Sequence, residues 1–218
     1  MRVMARMAWV VSIAAIAGGA FAAETTTGKI PVTTKSDEAR ALYLKGRDLA
    51  EKLRATDAHK LFIDAVAKDK EFASAQLAIA NSAGSAQEFF DAEARAVALA
   101  GKVSETERLV ILAQEAGTKG QVAKQKELLD KLVALVPSDE RAHNLMGAYL
   151  FGQQDWAGSV AEYQKAITIN PNFSQPYNQM GYAYRFLDKL NESEAAFSRA
   201  FKRFMRVPPS ALRRTQKS

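Results

Sequence analysis

The sequence predicts an all-α protein built as an array of similar helix pairs, and two observations carry this prediction. Alanine is abundant, while glycine and proline are sparse, with 12 and 6 of them in 218 residues. Alanine has the highest helix propensity and allows helices to approach closely. Residue types also recur at a spacing of 34, which is a length typical of a helix–turn–helix repeat.

The recurrence is clearest in the C-terminal part of the chain. Gly147 and Gly181 are 34 residues apart, and so are Tyr163 and Phe197. In a packed helix pair, small residues mark the close approach of two backbones, and a larger residue fills the gap between neighbouring pairs. Pro171 is placed to end a second helix before the next unit begins.

This pattern resembles the tetratricopeptide-repeat family over residues 39–200, with unit starts near 39, 73, 106, 140 and 174. The units from 140 and 174 match the family pattern well, whereas Ala96 replaces an aromatic residue in the second unit. The third unit keeps a helix-start pattern, Ser104-x-x-Glu107, and its turn is predicted at Gly117 and Gly120. The resemblance implies a right-handed α-solenoid of about five antiparallel helix pairs, whose first helices line a concave groove.

The N-terminal residues resemble an export signal. Arg2 and Arg6 precede an uncharged, mostly apolar run, and Ala20-Phe21-Ala22 supplies small residues at a cleavage site. We expect cleavage after Ala22 or Ala23 and an exported, periplasmic or secreted protein. The competing interpretation is a membrane anchor, but the run is shorter than the roughly 20 apolar residues of a spanning helix.

The remaining chain divides into three parts. Residues 23–38 are polar and rich in threonine, which predicts a flexible lead-in. Ser36 is expected to cap the first helix, and the repeat array is predicted over 39–207. The tail over 208–218 is basic and is interrupted by proline. Three interpretations remain open. The tail is a basic arm for an anionic surface, the last repeat is covered by another subunit, or the chain is part of a truncated array.

Composition argues against several kinds of chemistry. The chain has no cysteine and two histidines, which excludes disulfides and thiolate sites and leaves almost no histidine for a metal. His143 is expected to be a partly buried core residue. The basic residues concentrate at the two ends of the chain, so the net charge of +6 does not indicate nucleic-acid binding. No cofactor, metal or enzymatic activity is predicted.

The resemblance also implies a set of partner-binding residues. Family members contact ligands through fixed positions of each first helix, and we carry these positions over to the fourth and fifth units. The predicted partner-binding groove residues are Arg141, Asn144, Phe151, Gln175, Asn178, Tyr182, Arg185 and Phe186.

Two residue types in this set have a physical rationale. The recurring Asn144 and Asn178 can donate and accept hydrogen bonds at once, as a bound peptide backbone requires; the alternative is a solvated or capping role. Phe151, Tyr182 and Phe186 can hold apolar side chains of a partner. For Phe151, packing between adjacent helices is the stronger interpretation.

The sequence therefore predicts a non-catalytic protein–protein interaction scaffold of the cell envelope that binds a protein or peptide in its groove. One alternative is a structural protein that self-associates through the last repeat. Another is the truncated regulatory part of a longer repeat protein.

Overall fold

The computed structural model describes residues 28–205, and this part of the chain is all-helical. The predicted all-α fold is confirmed. The helices are α1 Asp37–Glu51, α2 Ala55–Lys68, α3 Ala73–Asn81, α4 Ala86–Leu99, α5 Glu105–Thr118, α6 Val122–Leu135, α7 Glu140–Gly152, α8 Trp156–Ile169, α9 Ser174–Phe186 and α10 Leu190–Phe204. A short 3-10 turn, Ala100–Lys102, follows α4. The predicted export signal and basic tail lie outside the described residues.

Consecutive helices form five pairs: α1 with α2, α3 with α4, α5 with α6, α7 with α8, and α9 with α10. The first helices begin at residues 37, 73, 105, 140 and 174, each within two residues of a predicted unit start. Each second helix packs on the first helix of the following pair. Residues close in sequence therefore make most of the contacts, as in other repeat arrays.

Close approach within the pairs depends on glycine facing an aromatic ring. A Cβ atom added to Gly147 would lie 2.6 Å from the ring of Tyr163, and one added to Gly181 would lie 2.5 Å from Phe197. Any side chain at these glycines would therefore displace the facing ring. The 34-residue spacing of the two glycines and the two aromatics records this repeated contact.

Four of the five turns within pairs share one backbone motif. Leu53, Gly120, Gln154 and Asp188 adopt positive φ values of 57° to 67°. In the fourth pair, the N–H of Asp155 donates to the carbonyl oxygen of Leu150 over 3.0 Å. This is the hydrogen bond of a Schellman motif, in which a left-handed residue ends the helix. The second pair departs from the pattern because α3 is shorter.

One predicted detail of the third unit differs from the structure, and another is confirmed. Gly117 lies inside α5 rather than in the turn, and the side chain of Gln125 fills the space where its Cβ would be. Ser104 caps α5 as predicted, accepting from the N–H of Glu107 over 3.3 Å. The carboxylate of Glu107 also accepts a hydrogen bond from the N–H of Thr33. Glu107 therefore makes a tertiary contact in addition to its place at the start of α5.

The apolar core runs along the array as a series of clusters between neighbouring pairs. Leu109, Leu132 and Met146 belong to a cluster that joins the third and fourth pairs. Tyr163 and Tyr177 belong to another, which joins the fourth and fifth pairs. Burial of these side chains stabilises each pair against its neighbours rather than around one centre.

The N-terminal segment, which we define as residues 28–36, is seated on the array. This differs from the flexible lead-in that the sequence predicts. Ile30 is 7% exposed and packs in the cluster of Leu109 and Met146. Ser36 caps α1 as predicted, accepting a hydrogen bond from Ala39 N over 3.1 Å. A polar composition predicts solvation, but here carboxylates of the helix starts bind the segment.

Within residues 28–205, no helix combines the length and the apolar character that crossing a membrane requires.

Candidate partner-binding surface

The predicted groove residues are distributed over five places on the array. Arg141 binds the N-terminal segment, and Asn144 is buried in the middle of α7. Phe151 and Phe186 meet at the ends of α7 and α9, whereas Tyr182 lies beside α10. Gln175 and Asn178 occupy half-buried positions on α9. Of the predicted groove residues, the aromatic pair Phe151 and Phe186 is in contact, whereas the polar residues are distributed over α7 and α9.

Arg141 is engaged within the chain. Its Nη2 lies 2.6 Å from Asp139 Oδ2 and 2.7 Å from the carbonyl oxygen of Ile30. Asp139 is fully buried. Burial raises the pKa of the Asp139 carboxyl, but the Arg141 guanidinium and the N–H of Ile30 outweigh this effect and hold the pKa below its ordinary value. The pair is therefore a charged anchor for the N-terminal segment.

Asn144 is 7% exposed, and its Oδ1 accepts no hydrogen bond within the described part of the chain. Its neighbour His143 is buried, with Nδ1 2.7 Å from Glu162 Oε2 and Nε2 2.9 Å from the Pro137 carbonyl oxygen. The core position predicted for His143 is confirmed. Burial raises the pKa of Glu162, but hydrogen bonds from Lys165 and His143 lower it by more, so the pKa lies below its ordinary value.

Three aromatic rings form a cluster at the turn end of the fourth and fifth pairs. Trp156 stacks on Phe186 with ring centroids 4.3 Å apart and an angle of 13° between the planes. Phe151 meets Trp156 edge-on at 4.9 Å and Phe186 at 5.9 Å. Phe186 nevertheless remains 61% exposed. We call Phe151, Trp156 and Phe186 the aromatic cluster; it both fastens α7, α8 and α9 and presents an apolar surface.

The last pair presents a second apolar surface. Tyr182 is 44% exposed, and its ring packs edge-on against Phe197 at 5.0 Å. Arg185 borders an open cleft together with Leu190, Phe197 and Phe201 of α10. Two predicted groove residues therefore lie next to the outer face of the last described helix.

Sequence reasoning missed the residues that bind the N-terminal segment. Asp69 is the C-cap residue of α2, Glu107 lies in the first turn of α5, and Asp139 is the N-cap residue of α7. In the structure each accepts a hydrogen bond from the backbone of the segment. These three positions are not equivalent within the repeat, so the spacing of the sequence does not single them out.

Over residues 28–205, no group of three or more acidic or histidine side chains is arranged to hold a metal ion.

A family model matches one part of the repeat array. Residues 162–196, which run from α8 into α10, match the model of the tetratricopeptide repeat. Over these residues the chain is similar to the tetratricopeptide repeat. The matched residues include Tyr163 and Gly181, whose partners in the glycine–ring contacts are Gly147 and Phe197. A search of curated protein sequences finds no match to this repeat protein.

Solved structures with the same kind of helical array include several tetratricopeptide-repeat proteins. The Cut9–Hcn1 hetero-tetramer structure aligns with a TM-score of 0.50 and 19% identity, over 76% of this chain and 37% of that chain. MamA from Desulfovibrio magneticus RS-1 aligns with a TM-score of 0.46 and 16% identity, over 85% and 100%. YrrB, a repeat protein with an unusual peptide-binding site, aligns at 0.44 and 15%, over 80% and 90%. At these identities the similarity establishes the fold alone.

Proposed function

We propose that this helical repeat protein is a non-catalytic interaction scaffold of the cell envelope, and that a partner protein or peptide binds along its fourth and fifth helix pairs. The observation that carries the proposal is the exposed aromatic surface there. Tyr182 and Phe186 lie one helical turn apart on α9, 44% and 61% exposed. Exposed aromatic side chains on a rigid helix are typical anchors of protein interfaces.

The geometry of this surface suits an apolar side chain of a partner. Phe186 is fixed by stacking on Trp156, so that its free face loses little conformational entropy when a partner covers it.

Crosslinking capture with matched variants tests the scaffold function. The bait is the mature protein, compared with a Tyr182→Ala, Phe186→Ala variant and with an Ile63→Ala, Phe90→Ala variant. The control residues are also exposed, at 45% and 55%, but lie on the second helices α2 and α4. We expect a partner that the parent and the control capture and the α9 variant loses. Equal capture by all three baits would contradict the proposed surface.

The envelope location rests on the predicted export signal. Expression of the full chain, followed by cell fractionation and N-terminal sequencing of the purified protein, tests it. We expect the protein in the exported fraction with a new N-terminus at Ala23 or Glu24. An intact N-terminus in the cytoplasmic fraction would contradict export.

A second candidate function is self-association through the last pair. Leu190, Phe201 and Met205 on or next to α10 are 62–63% exposed, which is unusual for large apolar side chains in an array. In other pairs the second helix is covered by the next unit. Sedimentation of the parent and of a Leu190→Asp, Phe201→Asp variant discriminates the two functions. A parent that is monomeric at all concentrations removes this candidate.

A further inference from the structure

The N-terminal segment crosses the starts of four successive first helices. Its early residues contact the start of α7, its middle contacts the start of α5, and Ser36 caps α1. The segment is extended and runs from the fourth pair back to the first. We call the surface beneath it the rim, formed by the N-terminal ends of α1, α3, α5 and α7 with the loops before α3, α5 and α7.

The rim binds the segment largely through main-chain atoms. Ile30 N donates to Asp139 Oδ2 over 2.7 Å, Thr33 N donates to Glu107 Oε1 over 2.9 Å, and Lys35 N donates to Asp69 Oδ2 over 3.1 Å. The carbonyl oxygen of Ile30 accepts from Arg141, and that of Val32 accepts from Arg40. Any extended peptide carries these N–H and C=O groups, so this part of the recognition does not require this particular sequence.

Side chains of the segment add selectivity. Ile30 is buried among apolar side chains of the third and fourth pairs. The Thr33 hydroxyl donates to Glu107, which is itself only 2% exposed. At the two ends, Lys29 pairs with Glu140, and Lys35 Nζ lies 3.0 Å from Glu71 Oε2. The rim therefore selects a cation, a buried aliphatic residue, hydroxyl groups and a second cation, in that order.

The charges of the rim and the segment are complementary. The rim contributes five carboxylates and two guanidinium groups, from Asp69, Glu71, Glu107, Asp139, Glu140, Arg40 and Arg141. The segment contributes the two ammonium groups of Lys29 and Lys35 and no carboxylate. With the segment in place Glu107 and Asp139 are buried, and each accepts a hydrogen bond from it in addition to those from the array. The surface is thus built to hold a basic, extended chain.

We propose that the rim is a binding site for an extended peptide of a partner protein that carries lysine, aliphatic and threonine side chains in the order of residues 29–35, and that the chain's own segment occupies this site in cis. Ser36 is the covalent link to the array, so the segment competes at the high effective concentration of a short tether. The partner peptide binds by displacing it. This inference rests on the proposed scaffold function, but it concerns another surface.

A titration with a labelled peptide tests the proposal. The probe is a fluorescein-labelled peptide of sequence GKIPVTTKS, which copies residues 28–36. The receptor is the full chain with Ile30→Asp, a change that places a carboxylate beside Asp139 and releases the segment. We expect this variant to bind the probe at least about ten-fold tighter than the parent, since cis competition is removed. A probe with glutamate at both lysine positions should bind at least about ten-fold more weakly.

A reversible lock keeps the test valid if the Ile30→Asp variant does not fold. A Cβ built on Gly28 lies 3.5 Å from the Cβ of Ser138, within the range of a disulfide. The chain has no cysteine, so Gly28→Cys with Ser138→Cys forms one defined disulfide. Gly28 has a φ of +69°, which a cysteine adopts with strain. Mass spectrometry verifies that the oxidised sample is fully crosslinked.

The two redox states then give opposite results. We expect the reduced form to bind the GKIPVTTKS probe at least about ten-fold tighter than the oxidised form, in which the segment cannot leave. Equal binding by both forms, or binding by neither, overturns the proposal. A reduced form that sediments as a dimer without the probe also overturns it, because a second copy would then be the occupant. Probe binding that survives Tyr182→Ala with Phe186→Ala separates this site from the α9 surface.

Discussion

At the scale of single residues, buried charge and buried glycine carry the specific features of this array. Asp139 is fully buried and yet accepts hydrogen bonds from Arg141 and from the backbone of Ile30. A buried carboxylate is tolerated only when such donors surround it. Gly147 leaves room for the ring of Tyr163. Asp139 therefore depends on its donors, and the packing of Tyr163 depends on the absence of a side chain at residue 147.

Asp139→Asn should lower the stability and flatten its dependence on acid pH. The folded pKa of Asp139 lies below the unfolded value of about 3.9, so its stabilisation is present above that pH and is lost as the pH falls through the folded pKa. We expect a loss of about 2 kcal/mol at pH 7 and a smaller difference at pH 3. Urea unfolding at several pH values measures both.

Asp130→Asn is the matched control, because Asp130 pairs with Lys126 on the exposed face of α6. Exposed pairs of this kind contribute little to stability. A loss in Asp139→Asn that is the same at pH 7 and pH 3 would contradict the assigned charge of Asp139.

Gly147→Ala should destabilise the protein although alanine is the better helix former. The added methyl would lie 2.6 Å from Tyr163, and a buried ring can move aside only by disturbing its neighbours. We expect a loss of about 1–3 kcal/mol in thermal or urea unfolding. Gly152→Ala, at the end of the same helix with open space around it, should be neutral or stabilising. Equal effects of the two changes would contradict the glycine–ring contact.

At the scale of elements, the hairpin is the unit that the repeat preserves. Four hairpin turns place a left-handed residue at the equivalent position, although one of them alone uses glycine. The left-handed conformation at Leu53, Gln154 and Asp188 is a strain that the helix packing on either side maintains. Turn geometry in this array is thus imposed by the pairs and is only partly encoded by the turn residues.

Gln154→Gly should stabilise the fourth hairpin. Gln154 has a φ of 62°, and glycine adopts this conformation without a Cβ clash. We expect a gain of about 0.5–1 kcal/mol, reduced by the greater freedom of glycine in the unfolded chain. Gln153→Gly is the control, since its φ of −87° suits any residue and glycine there should destabilise. Chemical unfolding compares them, and a gain in the control would contradict the argument.

At the scale of the whole molecule, the N-terminal segment changes how the array holds together. Packing between pairs links each unit only to its neighbours. The segment instead links the first pair to the fourth, through Ser36 at α1 and Ile30 beside α7. A long-range contact of this kind makes four pairs unfold more cooperatively than a simple array does.

Ile30→Ala should therefore weaken four pairs together. Removing a buried isoleucine side chain costs about 2 kcal/mol or more. Hydrogen exchange should show faster opening at the starts of α1, α3, α5 and α7, and little change in α10. Ile63→Ala, an exposed position on α2, should change neither. Faster exchange confined to residues next to Ile30 would contradict the bridging role of the segment.

The sequence by itself determined the helical class, the unit starts and the close approach of paired helices at small residues, because these depend on spacing within one hairpin. The contact of each glycine with an aromatic ring of the same pair was shown only by the structure. The sequence also placed His143 in the core and Ser36 at the start of α1. The position of Ile30 on the fourth pair was shown only by the tertiary structure. Ile30 and Asp139 are 109 residues apart, and no repeat spacing in the sequence connects them. Likewise, the sequence analysis predicted Arg141 and Tyr182 in one groove. In the structure Arg141 binds the N-terminal segment and Tyr182 packs against α10, because Ile30 and Phe197, which contact them, come from different parts of the chain.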